Sequence, residues 1–104
     1  MSDELHKNDI GTVLTFRIID NGETVDLTNA TSATLVIVYP ETTPSKIEKT
    51  CTILSPEELG KVQYTIQEDD LPDAGTYEMQ IIVEFSDGDT FHTDVFEEIV
   101  LDNL

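Results

Sequence analysis

The residues of this sequence that could do chemistry are few: one cysteine, two histidines and several groups of acidic residues. Cys51 would need a neighbouring base to act as a nucleophile. His6 lies in the polar N-terminal segment and His92 in a late strand-like segment, and neither has a sequence context typical of such a base. Cys51 shares the phase of Ile53 in an alternating segment, so we expect a small buried residue. The sequence therefore predicts no catalytic residue and a protein that is not an enzyme.

Acidic residues are concentrated in two short segments, Glu68-Asp69-Asp70 and Asp87-Gly88-Asp89. Carboxylates from one loop are ligands that Ca²⁺ prefers, but neither segment has the spacing of an EF-hand loop. We therefore expect solvated acidic loops, with no metal and no cofactor.

The net charge of the chain is −17, from 22 acidic and 5 basic residues. Every basic residue lies at or before Lys61, and twelve acidic residues follow with none to offset them. Phosphate backbones and anionic lipid surfaces bind through cationic side chains. We therefore expect neither nucleic acid nor a membrane as a partner, and we expect self-repulsion that salt screens. The polar first nine residues give no indication of a signal peptide.

Strands are the elements that must position these residues. Val, Ile and Thr together make 32 of the 104 residues and Ala only 3, a composition that favours pleated surfaces over helices. Alternating apolar residues predict strands over residues 10–19, 33–39, 46–54, 62–66 and 77–85, and a last strand from residue 91 onwards.

Turn signals separate these strands. Asn21-Gly22 predicts a tight turn, and Ser86-Asp87-Gly88-Asp89 predicts a hairpin. Pro40 and a loop over residues 42–44 end the second strand, and residues 55–58 predict a turn or a single helical turn. Adjacent apolar residues at Val95-Phe96 indicate a bulge or a change of facing in the last strand.

The segment Asp73-Ala74-Gly75-Thr76-Tyr77 stands at the head of the longest predicted strand. In immunoglobulin-like sandwiches a tyrosine near the start of strand F hydrogen-bonds back to the preceding corner, and we expect Asp73, Gly75 and Tyr77 to form such a structural corner. An ordinary turn before an ordinary strand is the alternative. Met79 stands where antibody domains carry the second disulfide cysteine, so no disulfide is expected.

The predicted fold class is all-β, an immunoglobulin-like antiparallel β-sandwich of about seven strands. Residues 1–104 are expected to form a single domain, with residues 1–8 as a flexible or extended N-terminal arm. In immunoglobulin lettering, strand B would begin near Ala33 and strand F near Tyr77.

An ordered set of segments resembles one family along nearly the whole chain. The segments are Asp9-Ile10-Gly11, Leu14-Thr15-Phe16-Arg17-Ile18, Asn21-Gly22, Val25-Asp26-Leu27-Thr28-Asn29-Ala30-Thr31, Leu35-Val36-Ile37, Gly60-Lys61-Val62-Gln63-Tyr64 and Ala74-Gly75-Thr76-Tyr77. In this order they resemble the N-terminal immunoglobulin-like domain of tail baseplate upper proteins from phages and prophages of Gram-positive bacteria.

The resemblance implies a virion structural protein, a baseplate module assembled in the host cytoplasm through contacts with other baseplate and tail proteins. A homo-oligomer is a further expectation. The chain ends at Leu104, after the last predicted strand, which fits a fragment of a longer baseplate protein or a stand-alone relative. The alternative function is an immunoglobulin-like binding module of a bacterial surface protein, for adhesion or glycan binding.

Three valines on outward-facing positions form the candidate protein interface. Val36 and Val38 stand opposite the inward residues of the second strand, and Val13 occupies the outward phase of the first. Apolar residues on both faces of a strand indicate that something covers the second face. We expect Val13, Val36 and Val38 to lie side by side in a protein contact, with scattered surface valines or cover by the chain's own loops as the alternative.

Overall fold

Extended strands make up nearly all of the regular structure, as the content of β-branched residues requires. The computed structural model describes residues 5–40 and 45–103. The strands are β1 Leu5–His6, β2 Val13–Arg17, β3 Ile19–Asp20, β4 Glu23–Thr24, β5 Ala30–Val38, β6 Lys46–Ile53, β7 Lys61–Thr65, β8 Gly75–Phe85, β9 Thr90–His92 and β10 Phe96–Leu101. Within the described ranges the one helical element is a single 3₁₀ turn at Glu57–Leu59, where the sequence predicts a turn. The predicted all-β class is confirmed.

One continuous path of hydrogen-bonded neighbours joins most of the strands, in the order β1-β10-β8-β5-β6-β7-β2. β9 also pairs with β8, and β3 with β4 forms a separate hairpin. All pairs are antiparallel except β1 with β10. The first part of β6 pairs with β5, whereas Thr52 and Ile53 at its end pair with β7, so β6 connects two parts of the sheet.

The sheet folds over on itself and encloses the core. Phe16 of β2 and Phe96 of β10 lie near opposite ends of the strand order, yet their ring centroids are 5.4 Å apart. Inward residues of the long strands fill the space between the two parts of the sheet. Residues of the connections between strands also contribute to the core. The largest fully buried side chains are Tyr77, Leu5, Ile18, Leu27, Leu35, Ile37, Ile66, Leu71, Met79, Ile81, Val62 and Val83.

The strand pairing corrects the immunoglobulin lettering that was expected from the sequence. β5 and β8, which the sequence assignment gives as strands B and F, are direct neighbours, with Leu35 opposite Ile81. In an immunoglobulin sandwich strand F lies between strands C and G, and strand B pairs with strand E in the other sheet. Because β8 lies between β5 and β10, β5 takes the place of strand C, and β2, which pairs with β7, takes the place of strand B. Alternation sets which side chains face inward, but it carries no information on which strand lies alongside, so no local pattern indicates this pairing.

The N-terminal segment packs against the domain from Leu5 onwards. Leu5 is 1% exposed and pairs with Val100, and the Asn8 amide donates to the Leu71 carbonyl at 2.7 Å. Residues 5–8 therefore pack against the folded body, and Leu5–His6 have the extended conformation of a strand. Residues 1–4 of the expected arm, and the expected loop at residues 42–44, lie outside the described residues.

Two sequence signals have clear structural counterparts. Asn21 and Gly22 have φ angles of 52° and 80°, the positive values that a two-residue type I′ hairpin between β3 and β4 requires. The irregularity at the last strand is an interruption between β9 and β10. There the Thr93 hydroxyl accepts a hydrogen bond from the Ile81 amide at 3.0 Å and takes over part of the ladder.

Candidate protein interface

The corner before β8 is held by Tyr77, which is fully buried. Its Oη donates to the Asp73 carbonyl at 2.6 Å and accepts from the Asp73 amide at 3.2 Å. The Asp73 backbone therefore makes these contacts. The Tyr77 ring also meets the ring of Tyr39 edge-on, with centroids 5.7 Å apart and an angle of 84° between the planes.

Gly75 allows the chain at the same corner to pass close to Pro40. Its φ of +141° is unfavourable for a residue with a side chain, and a Cβ there would lie 3.1 Å from the Pro40 ring. Asp73, Gly75 and Tyr77 thus lie together at the start of β8 and fix its connection to the preceding loop.

The structure does not bring the three valines together. Val13 lies on β2 and is 43% exposed, but β7 and β6 separate β2 from β5. Val36 is only 8% exposed and Val38 is half-buried. The expectation that Val13 stands beside Val36 and Val38 is therefore corrected, because the strand that follows in sequence is not the neighbour in space.

Exposed apolar residues occur elsewhere on the surface. Ile99 and Leu101 on β10 are 64% and 39% exposed, and they point to the same side because they are two residues apart. Glu97 shares that side and pairs directly with Glu78 of β8, and both glutamates are exposed. The alternation of residues 97, 99 and 101 is visible in the sequence, but their neighbours are not.

Asp70, from one of the two acidic segments, is a buried structural residue. It is 1% exposed, and its Oδ2 accepts hydrogen bonds from the Tyr64 hydroxyl and, at 2.7 Å, from the Gln67 amide. Its Oδ1 lies 3.3 Å from Lys49 Nζ. Burial, followed by the contact with the Asp70 carboxylate, raises the pKa of Tyr64. The segment therefore does not form a solvated loop at this residue.

Sequence reasoning missed this cluster, although one signal could have found it. Lys49 stands at an inward-phase position between Ile47 and Cys51. A cation at such a position indicates a buried carboxylate partner, since unpaired buried charges are rare.

The second acidic segment forms a local turn, in which Asp87 Oδ1 accepts a hydrogen bond from the Asp89 amide at 2.9 Å. No group of three or more His, Cys, Asp or Glu side chains in the described part of the chain has an arrangement that could hold a metal ion.

Cys51 is buried on the inner side of β6. Burial is the main influence on its thiol and raises the pKa to about 11, while a backbone hydrogen bond from Leu35 opposes the shift. The thiol is therefore protonated at neutral pH, the state in which cysteine is a poor nucleophile.

These observations define a β-sheet domain in which the buried polar groups make contacts within the fold. Its surface carries exposed apolar and acidic side chains. Residues 5–104 match the family model described as the BppU N-terminal domain. The chain belongs to this family, the N-terminal domain of phage baseplate upper proteins. A comparison with curated proteins finds no match. In the ranges that the structure describes, no helix has the length and apolar content needed to cross a bilayer.

Proposed function

We propose that this domain is a structural module of a phage or prophage virion, which acts in the tail baseplate by binding other baseplate and tail proteins. The observation that carries the proposal is the family match over residues 5–104. On this proposal the domain is assembled into the particle in the host cytoplasm.

The chemistry of the described residues supports a structural role and not a catalytic one. Cys51 is buried and protonated at neutral pH. Asp70, the buried carboxylate, is engaged by Tyr64, Gln67 and Lys49. Both groups are buried within the fold, so neither is accessible to a substrate.

Exposed apolar side chains on the surface support the proposal that the domain binds other proteins. Among residues 5–40 and 45–103, seven large apolar side chains are at least 39% exposed. Several of them project from strands and not from loop tips, notably Val13, Ile99 and Leu101. Apolar side chains exposed on a rigid sheet can be covered by a partner without a large loss of conformational entropy.

Size-exclusion chromatography with light scattering tests the proposal, with the chain alone and mixed with the central baseplate protein of the same virion. A stable complex of defined mass is the expected result, and the run without partner gives the oligomeric state. An unrelated acidic protein of similar size is the control and should elute unchanged. Failure to bind would overturn the proposal, and glycan-array binding by the isolated chain would then favour a surface-protein binding module.

A further inference from the structure

Two carboxylates face each other on the outward side of β8 and β10. Glu78 and Glu97 are direct cross-strand partners, and both side chains are exposed. Like charges directly opposite on neighbouring strands destabilise a sheet. The ion pairs within the described residues are Lys7 with Asp102 and Lys49 with Asp70, and neither involves these glutamates. Their repulsion is therefore not offset by an ion pair in the part of the chain that the structure describes.

Apolar side chains flank this pair on the same side of the sheet. Val38 is the partner of Glu78 on the other neighbouring strand, β5. Ile99 follows Glu97 by two residues and is 64% exposed, and Leu101 follows in turn at 39%. Where exposed apolar side chains lie beside charged groups, burial of the apolar side chains supplies the affinity for a partner. The charged groups steer the partner during its approach and set its register on the surface.

The charge of the chain restricts what can bind there. From residue 62 to the end, the sequence that contains both strands has no Lys or Arg. A second copy of the chain would bring a further net charge of −17 and would be repelled at long range. A surface that carries Lys or Arg would instead replace the repulsion between the glutamates with attraction to both.

We propose that the outward face of β8 and β10, centred on Glu78, Glu97, Ile99 and Leu101, docks a partner protein that presents Lys or Arg side chains around an apolar patch. The choice of the central baseplate protein as this partner rests on the proposed function. The face itself is identified from the charge pair and the exposed apolar residues.

The test is a calorimetric titration of the central baseplate protein with the wild-type chain and with Glu78→Gln/Glu97→Gln. Removal of both charges should weaken binding by about tenfold or more at low salt and should flatten the dependence of affinity on salt. A second variant, Ile99→Ser/Leu101→Ser, should weaken binding while the salt dependence stays as in the wild type. Loss of a repulsive pair does not threaten folding, so the first variant stays interpretable.

The matched control is Asp20→Asn/Glu23→Gln. Asp20 and Glu23 are also cross-strand partners and exposed, and their replacement changes the net charge equally. Asp20 shares a groove with Phe85, at the far end of β8 from Glu78. Wild-type affinity is expected for this control.

Each outcome decides between the two proposals. If the wild type binds and the Glu78/Glu97 variant binds equally well, the docking face is wrong and the proposed function stands. An equal loss of affinity in the Asp20/Glu23 control would show a general charge effect and would also overturn the proposed docking face. Self-association that the Glu78/Glu97 variant abolishes would make a second copy the occupant, against the proposal. No binding by the wild type would overturn the proposed function and the docking partner together.

Discussion

The phenol oxygen of Tyr77 makes two hydrogen bonds to the backbone of Asp73, one as donor at 2.6 Å and one as acceptor at 3.2 Å. One side chain thereby ties the entry of β8 to the loop before it. Tyr77→Phe keeps the ring and removes only these bonds. Because the Asp73 groups lose a partner, we expect the free energy of unfolding to fall by about 1–3 kcal/mol. Urea denaturation measures this, and an unchanged midpoint would contradict the role of the corner.

Gly75 and Gly88 offer a matched comparison for the same corner. Both have positive φ angles, but a Cβ on Gly75 would lie 3.1 Å from Pro40, whereas a Cβ on Gly88 would have no atom within 4 Å. Gly75→Ala should therefore lower the melting temperature more than Gly88→Ala, since backbone strain is added in both and crowding only in the first. Equal shifts in thermal denaturation would show that the approach to Pro40 is unimportant.

Asp70 should be the most sensitive charged residue. Asp70→Asn leaves Lys49 without its carboxylate and weakens the bonds from Tyr64 and Gln67, so we expect a loss of about 2–3 kcal/mol. Asp102→Asn is the control, because Asp102 is an exposed partner of Lys7 and such pairs contribute less than about 1 kcal/mol. Chemical denaturation of both variants tests the difference, and a loss no larger than that of the control would refute the structural role of the cluster.

The raised pKa of the Cys51 thiol predicts that the protein loses stability at alkaline pH. Its folded-state pKa is raised to about 11 from an ordinary value of 9.0. The unfolded state therefore releases the proton first, and the stability that the neutral thiol provides is present below pH 9.0 and decreases between there and about 11.

Comparison with Cys51→Ala tests this effect, because the variant lacks the thiol and keeps all other titrating groups, of which Tyr64 is influenced by Cys51. The wild type should lose more stability than the variant across this pH range in urea denaturation. Ellman's reagent gives a second measurement, since the thiol should react slowly in the native protein and rapidly in urea. Parallel pH curves for the two proteins would rule out the contribution of Cys51.

The net charge of −17 predicts that salt stabilises the fold. Screening shortens the range of the repulsion among the carboxylates, with a Debye length of about 10 Å at about 0.1 M salt. The melting temperature should therefore rise from low to moderate NaCl concentration, and a smaller rise is expected for Glu78→Gln/Glu97→Gln. A melting temperature that does not depend on salt would contradict this reading.

Local signals in the sequence were sufficient for the long strands and for the tight turns, but not for the short strands β1 and β4. The alternation of Tyr77, Met79 and Ile81 identified the longest strand, and Asn21-Gly22 identified the hairpin turn. Both depend on residues close together in the chain, where side-chain direction and φ are set by residue type.

Spatial neighbours could not be predicted in the same way. The pairing of Leu35 with Ile81 and the separation of Val13 from Val36 depend on segments far apart in sequence. For the candidate interface, the exposed position of Ile99 follows from the alternation along β10. The opposition of Glu78 and Glu97 needed the register, which no local pattern encodes.

The parallel pairing of β1 with β10 has a mechanical consequence. Leu5 and Val100 lie side by side, the Lys7 amide donates to the Leu101 carbonyl, and the Asn103 side chain donates to the Lys7 carbonyl. Tension between the two termini would pull these adjacent parallel strands in opposite directions along their length. The bonds between them would then be loaded together in shear and not broken one after another.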